Sequence, residues 1–303
     1  MFSYRHAFHA GNHADVLKHA TLIAVLRYMT EKPVPLTVVD THAGAGLYRL
    51  DGDAAATSGE VDEGLQRLRS QGLAHTAPLS PMIQDYLDLV GSFNRDGSGR
   101  IYPGSPFISQ RLLRESDKLK LFELHPTDTR LLEQHVAQLK AGRQVAVLRE
   151  DGFEGLKKFL PPPSRRALVM MDPSYEIKSD YAKVANALQD SLKRFATGTY
   201  MVWYPVIGRP EAHELPRRLK TLANQTQKPW LHATLTVKSG KQSSLPSGLL
   251  EGAKPQRPGL PASGVFIFHP PYTLKAQLQE ALPQLVSLLG QDRNAAFTLE
   301  SGG

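Results

Sequence analysis

The sequence predicts an α/β fold built on a doubly wound, mostly parallel sheet. Short apolar runs of strand character recur along the 303 residues. Most lack polar alternation, as strands covered on both faces require. Amphipathic stretches lie between them, and strand–helix alternation is the pattern of a parallel sheet. Several of the runs also close on an acidic residue. Ligands of open α/β sheets bind at the carboxyl ends of the strands, where strand order reverses, so these acids mark the edge to search.

The elements follow in order. A first helix spans Ala14–Met29, and a first strand spans Leu36–Asp40. Between Gly46 and Leu119 no strand pattern stands out. Helix-like pieces around Gly59–Arg69 and Met82–Phe93 fill the gap, which reads as a small helical subdomain (47–109) inserted into a sheet domain (1–46 and 110–303). Strands resume at Leu119–Glu123, Gln144–Leu148, Ala167–Asp172, Thr199–Tyr204, Trp230–Val237 and Gly264–His269, for a sheet of seven. Helical patterns cover Thr127–Leu139, Tyr181–Phe195 and Leu274–Leu289. Between the last two strands lies Lys238–Ala262, with four Ser, four Gly and four Pro beside Lys238, Lys241, Lys254 and Arg257. This composition suits a flexible basic loop without a core of its own. With no helix between them, these two strands would pair antiparallel at one edge.

Composition narrows the function classes. No stretch reaches the ~20 apolar residues of a membrane span, and the amino terminus lacks the apolar core of a secretory signal. With no cysteine, disulfides, thiolate nucleophiles and cysteine-ligated zinc are excluded, and a cytoplasmic location is expected. The net charge of +7 is concentrated in residues 191–303, which hold 13 basic and 6 acidic side chains, whereas the first 190 residues hold 23 of each. A localised positive excess suits a polyanion, most simply nucleic acid. The pairs Lys157-Lys158, Arg165-Arg166, Lys193-Arg194 and Arg217-Arg218 with Lys220 are candidates for a phosphate-binding rim.

Three strand ends form a nucleoside-binding edge. The first runs Asp40-Thr41-His42-Ala43-Gly44-Ala45-Gly46, an acid followed by glycines whose backbone amides a ligand can approach closely. A dinucleotide fingerprint would need a third glycine where Arg49 stands, which counts against a nicotinamide-dependent oxidoreductase. Glu123 ends the second strand, placed to accept hydrogen bonds from ribose hydroxyls. Glu150-Asp151-Gly152-Phe153 follows the third, suited to an adenine edge with an aromatic ring beside it. The fourth strand ends Asp172-Pro173-Ser174-Tyr175, which resembles the (Asp/Asn)-Pro-Pro-(Tyr/Phe) motif of amino-methyltransferases. An exocyclic base amine is a poor nucleophile because its lone pair is delocalised into the ring. Asp172 and the Pro173 carbonyl can accept its two hydrogens, and Tyr175 can stack on the base to hold it in line with a methyl donor.

The segment Ser3-Tyr4-Arg5-His6-Ala7-Phe8-His9-Ala10-Gly11-Asn12-His13-Ala14-Asp15-Val16-Leu17-Lys18-His19 is unusually specific. Together with Asp40–Gly46, Tyr102-Pro103-Gly104-Ser105-Pro106 and Glu123–Pro126, it resembles the RlmJ family over nearly the whole chain. The resemblance implies a Rossmann-like class I fold and methyl transfer from S-adenosylmethionine, without a metal, to adenine N6 in 23S ribosomal RNA. It further implies that Lys18, His19, His42 and Ser105 line the methionine end of the cofactor beside Gly44. Glu123 would hold the ribose, and Asp151 and Gly152 the adenine. Asp172 would be catalytic, with Pro173 and Tyr175 beside it, while Tyr4 and His6 would contact RNA. The chain departs from the motif at Ser174, where a second proline is usual. A monomer is expected.

Two other readings stand beside this one. His6, His9, His13 and His19 fall close together and could ligate a metal given a carboxylate and suitable geometry. A non-catalytic RNA-binding or assembly protein could also keep the same fold.

Overall fold

The computed structural model describes residues 6–52, 59–74, 77–239 and 259–303. Helix α1 (His13–Glu31) starts at Asn12, whose side chain caps the Asp15 amide. Its polar residues Asp15, Lys18, His19 and Thr21 are buried along with its apolar ones. This follows from its position against the strand Ala262–Phe268 and the helices Pro81–Gly91, Ser105–Leu112 and Leu274–Leu289, which cover most of its length.

The main sheet has eight strands in the order β10-β8-β9-β7-β6-β1-β4-β5. They are β1 (Thr37–Asp40), β4 (Lys118–Phe122), β5 (Val145–Leu148), β6 (Ala167–Met171), β7 (Thr199–Val206), β8 (Trp230–Thr236), β9 (Ala262–Phe268) and β10 (Ala296–Gly302). From β5 to β7 the strands are parallel. β9 runs antiparallel to both β7 and β8, and β10 runs antiparallel to β8. The expected antiparallel edge pair is therefore present. The count of seven is corrected to eight, because β10 (AFTLESG) is largely exposed and carries no apolar run to announce it. Strand order reverses at β1, which is flanked by β4 and β6, with Asp40 paired to Leu121 on one side and Met170 on the other.

The stretch read as strandless contains a short ribbon, β2 (Leu47–Arg49) against β3 (Ile101–Pro103). Three residues per strand are too few for a detectable period. Between them lie a π turn (Asp62–Gln66), α2 (Arg67–Ala74) and α3 (Pro81–Gly91), and α4 (Ser105–Leu112) follows. Leu65, Leu68, Ile83, Tyr86 and Val90 share one apolar cluster with α1. The remaining helices are α5 (Pro126–Gln138), the single turn α6 (Gly152–Gly155), α7 (Ser179–Arg194), α8 (Pro210–Gln225) and α9 (Leu274–Leu289). A second cluster on the opposite face packs α7 and α8 against Val169, Val202 and Phe266.

The described basic pairs are mostly engaged. Lys157 and Lys158 pair with Glu154 and Glu150, Arg194 with Asp190, and Lys220 with Glu300. Arg166, at the amino end of β6, donates to the carbonyls of Met29 and Val34. Residues 240–258 of the basic loop lie outside the described residues. Among the described residues, no helix is long and apolar enough to cross a membrane.

Candidate active site

The carboxyl ends of β1, β4, β5 and β6 open into one cleft, which α1 closes from the side. Lys18, His19, His42, Gly44, Ser105, Glu123, Asp151, Gly152, Asp172 and Pro173 all line it, as does His6. Residues read from six separate stretches of sequence thus line one cleft.

At the β1 end, Asp40 is buried beneath the loop. It accepts hydrogen bonds from Ser105 Oγ (2.6 Å) and the His42 amide (3.2 Å). Burial raises its pKa to about 6, against the opposing effect of these bonds. Gly44 has φ +61°, and a Cβ there would lie 2.3 Å from the Tyr48 hydroxyl. Its amide donates to Glu123 Oε2 (2.7 Å), while the His125 amide donates to Oε1 (2.7 Å). The Glu123 carboxylate is thereby fixed by two backbone donors, and each oxygen keeps a further acceptor site. Burial raises its pKa.

Asp151 caps α6 through Oδ1 alone, accepting from the Phe153 and Glu154 amides. A Cβ on Gly152 would come 2.1 Å from the Thr41 carbonyl oxygen, so only glycine lets these two loops meet. The His42 ring stands edge-on to Phe153 at 4.8 Å, and burial lowers its pKa to about 4. His19 lies 2.8 Å from the Tyr102 hydroxyl, and burial lowers its pKa to about 3, so it is neutral at physiological pH.

The charged centre is built around Lys18. Its Nζ lies 2.8 Å from Asp15 Oδ1 and 2.7 Å from Asp172 Oδ2, with the lysine side chain only 5% exposed. Burial alone would favour loss of its proton, but the two carboxylates outweigh burial and raise its pKa. Burial likewise opposes ionisation of Asp15, yet His6, Lys18 and His19 hold its carboxyl well below the usual range. Asp15 also accepts from His6 Nε2 and the Gly11 amide, both at 2.9 Å. The sequence reading missed Asp15 as a site residue. The signal was available, since Asp15 and Lys18 are three apart and share a helix face.

Tyr175 differs from expectation. It is 2% exposed and does not line the cleft. Its hydroxyl donates to the Trp203 carbonyl at 2.6 Å, and its ring packs on Tyr181 and Trp203. In this arrangement the ring supports the Asp172–Tyr175 turn from beneath and is not placed to stack on a base. Tyr4 lies outside the described residues. The four clustered histidines have separate partners: His6 meets Asp15, His9 meets Glu60, His13 meets the Leu260 carbonyl and His19 meets Tyr102.

The mostly parallel sheet, reversing at β1 with a cleft at its carboxyl edge, is a class I methyltransferase-like fold. Comparison with known proteins narrows the class. The family model described as ribosomal RNA large subunit methyltransferase D, RlmJ, matches residues 33–300. Ribosomal RNA large subunit methyltransferase J of Escherichia coli K12 is 40% identical over 289 residues, covering 95% of this chain and 94% of that protein. Its namesake in Haemophilus influenzae is 37% identical over 301 residues, covering 99% and 98%. The crystal structure of protein LPL1258 from Legionella pneumophila superposes with a TM-score of 0.81 at 30% identity, covering 97% of this chain and 98% of that one. The chain belongs to the RlmJ family.

Proposed function

We propose that this enzyme transfers the methyl group of S-adenosylmethionine to the exocyclic N6 of an adenine in 23S ribosomal RNA. The observation that carries the reading is the Asp172 carboxylate. It is held 2.7 Å from the Lys18 ammonium, on the same wall as Glu123 and Asp151.

The donor and acceptor set fits the cofactor. Glu123 has acceptor sites for ribose hydroxyls, Asp151 has Oδ2 for an adenine amine, and the glycine-permitted contact between the Thr41 and Gly152 loops shapes that end of the cleft. Lys18 and the neutral His19 and His42, with Ser105, line the part of the wall suited to the methionine moiety. When bound, S-adenosylmethionine supplies a methyl group activated on a sulfonium.

The chain's own residues prepare the acceptor. Asp172 and the Pro173 carbonyl receive the two amine hydrogens, which localises the nitrogen lone pair for attack. Lys18 orients the carboxylate through their 2.7 Å contact, and the surplus proton of the methylated amine has Asp172 as its neighbouring base. Tyr175 braces this turn. His6 and Tyr4 are assigned to contact with the RNA. Residues 47–109 are taken as an inserted subdomain of the catalytic domain, supported by the helices packed on α1, and the enzyme as a cytoplasmic monomer.

The test is methyl transfer from labelled S-adenosylmethionine to unmodified 23S RNA, with the product nucleoside identified by mass. Wild type is expected to yield N6-methyladenosine. Asp172→Ala is expected to lose transfer by at least about 10³-fold while still binding the cofactor in calorimetry. A different methylated nucleoside would refute the substrate assignment. Undiminished transfer by Asp172→Ala would refute the role of Asp172.

A further inference from the structure

Arg209 lies outside every motif read from the sequence. It sits in the loop after β7 as the N-cap residue of α8, and β7 neighbours the strand that delivers Asp172. Its Nη1 donates to two successive carbonyls of the catalytic turn, Tyr175 at 3.1 Å and Glu176 at 3.2 Å. It does not line the cleft itself. We propose that Arg209 is a positioning residue that clamps the Asp172–Glu176 turn in the geometry needed for transfer. The proposal rests on the assignment of Asp172 as the residue that receives the amine.

The turn needs such a clamp because it contains a costly conformation. Tyr175 has φ +54°, a left-handed backbone that a non-glycine residue adopts at a cost of roughly 1–2 kcal/mol. Such a residue persists only where its surroundings over-determine it. Here the anchors are the Tyr175 hydroxyl on the Trp203 carbonyl and the two bonds from Arg209. All three tie the turn to β7 and its following loop. Bonds donated by a guanidinium to carbonyl oxygens are charge-assisted and stronger than neutral ones.

Position 174 adds a second reason. A proline there would lock φ near −65° and stiffen the turn covalently. Ser174 offers no such restraint, so more of the stiffness depends on Arg209. The two devices are therefore expected to substitute for each other.

The experiment is a double-mutant cycle on full-length enzyme, comparing Arg209→Ala in the Ser174 and Ser174→Pro backgrounds. In the Ser174 background, Arg209→Ala is expected to lower kcat by about 10–100-fold, the scale of an ångström-level misplacement. The Kd for S-adenosylmethionine and the KM for RNA should stay within about two-fold of wild type, and Arg209→Lys should recover part of the rate. In the Ser174→Pro background the same removal should cost less than about three-fold. Amide hydrogen exchange across residues 174–177 reads the clamp without reference to activity, and should quicken in Arg209→Ala.

Unchanged kcat with unchanged exchange would overturn the proposal. So would a rise in RNA KM at constant kcat, which would make Arg209 an RNA contact, or an equal penalty in both backgrounds. If wild type methylates another nucleoside, the substrate assignment fails. The cycle, run on that nucleoside, and the exchange data still decide the clamp.

Discussion

Replacing Lys18 with methionine tests the charged centre most directly. The substitution preserves most of the buried aliphatic stem and removes the ammonium that neutralises Asp15 and Asp172. Both carboxylates lie within 2.8 Å of Nζ, and the Asp15 and Asp172 side chains are only 2% and 14% exposed. Breaking a buried ion pair by removing one partner costs about 3–5 kcal/mol, because the other charge remains in low dielectric without compensation. Asp15 would keep His6 and the Gly11 amide, so the lower half of that range is expected, about 3 kcal/mol. Equilibrium urea unfolding at pH 8, extrapolated linearly, measures it. Adding Asp15→Asn removes the stranded charge but keeps an acceptor for the Gly11 amide, and should recover at least half of the loss. Methyl transfer should stay low in both variants, since neither returns a cation to Asp172. A single variant within about 1 kcal/mol of wild type, or a double variant less stable than the single, would refute the buried-charge account.

Two further predictions concern acid stability and the shape of the cleft. His19 has a folded pKa of about 3, below the ordinary imidazole value near 6.5, so the unfolded chain binds more protons between those values. Its contribution is therefore complete above about pH 6.5 and is lost as pH falls through that window, at about 1.4 kcal/mol per unit. The stability difference between pH 7.5 and pH 5 should accordingly shrink by about 2 kcal/mol in His19→Gln, and an unchanged difference would count against burial of a neutral ring. Gly152→Ala would drive a Cβ to 2.1 Å from the Thr41 carbonyl oxygen. It should reduce stability by about 1–3 kcal/mol and weaken S-adenosylmethionine binding at least about ten-fold in calorimetry, because parting these loops moves Asp151 and His42; wild-type affinity would show that the loop contact does not shape the cofactor end.

Much of the architecture was legible because it is encoded locally. Continuous apolar runs announced the strands that are covered on both faces, and their terminal residues Asp40, Glu123 and Asp172 pointed to the sheet edge at which the cleft opens. The strands that escaped notice lack such a signal. β10 is an exposed edge strand, and β2 and β3 are three residues each. Among the site residues, Tyr175 looked available for stacking because sequence shows an aromatic after an Asp-Pro turn but not its direction. A φ of +54° and a hydrogen bond to Trp203 turn it inward.

The sequence by itself determined the class of fold, the strand ends at which the cleft opens and the chemical groups along it. Those features depend on residue type, period and position at strand ends, all of which operate over a few neighbouring residues. Only the tertiary structure decided which groups act on one another. Lys18 and Asp172 are 154 residues apart and Arg209 and Tyr175 are 34 apart, yet folding brings each pair within hydrogen-bond distance. Whether a lysine on a helix is solvated or buried between two acids, and whether an arginine after a strand is surface or clamp, depends on what packing brings against it.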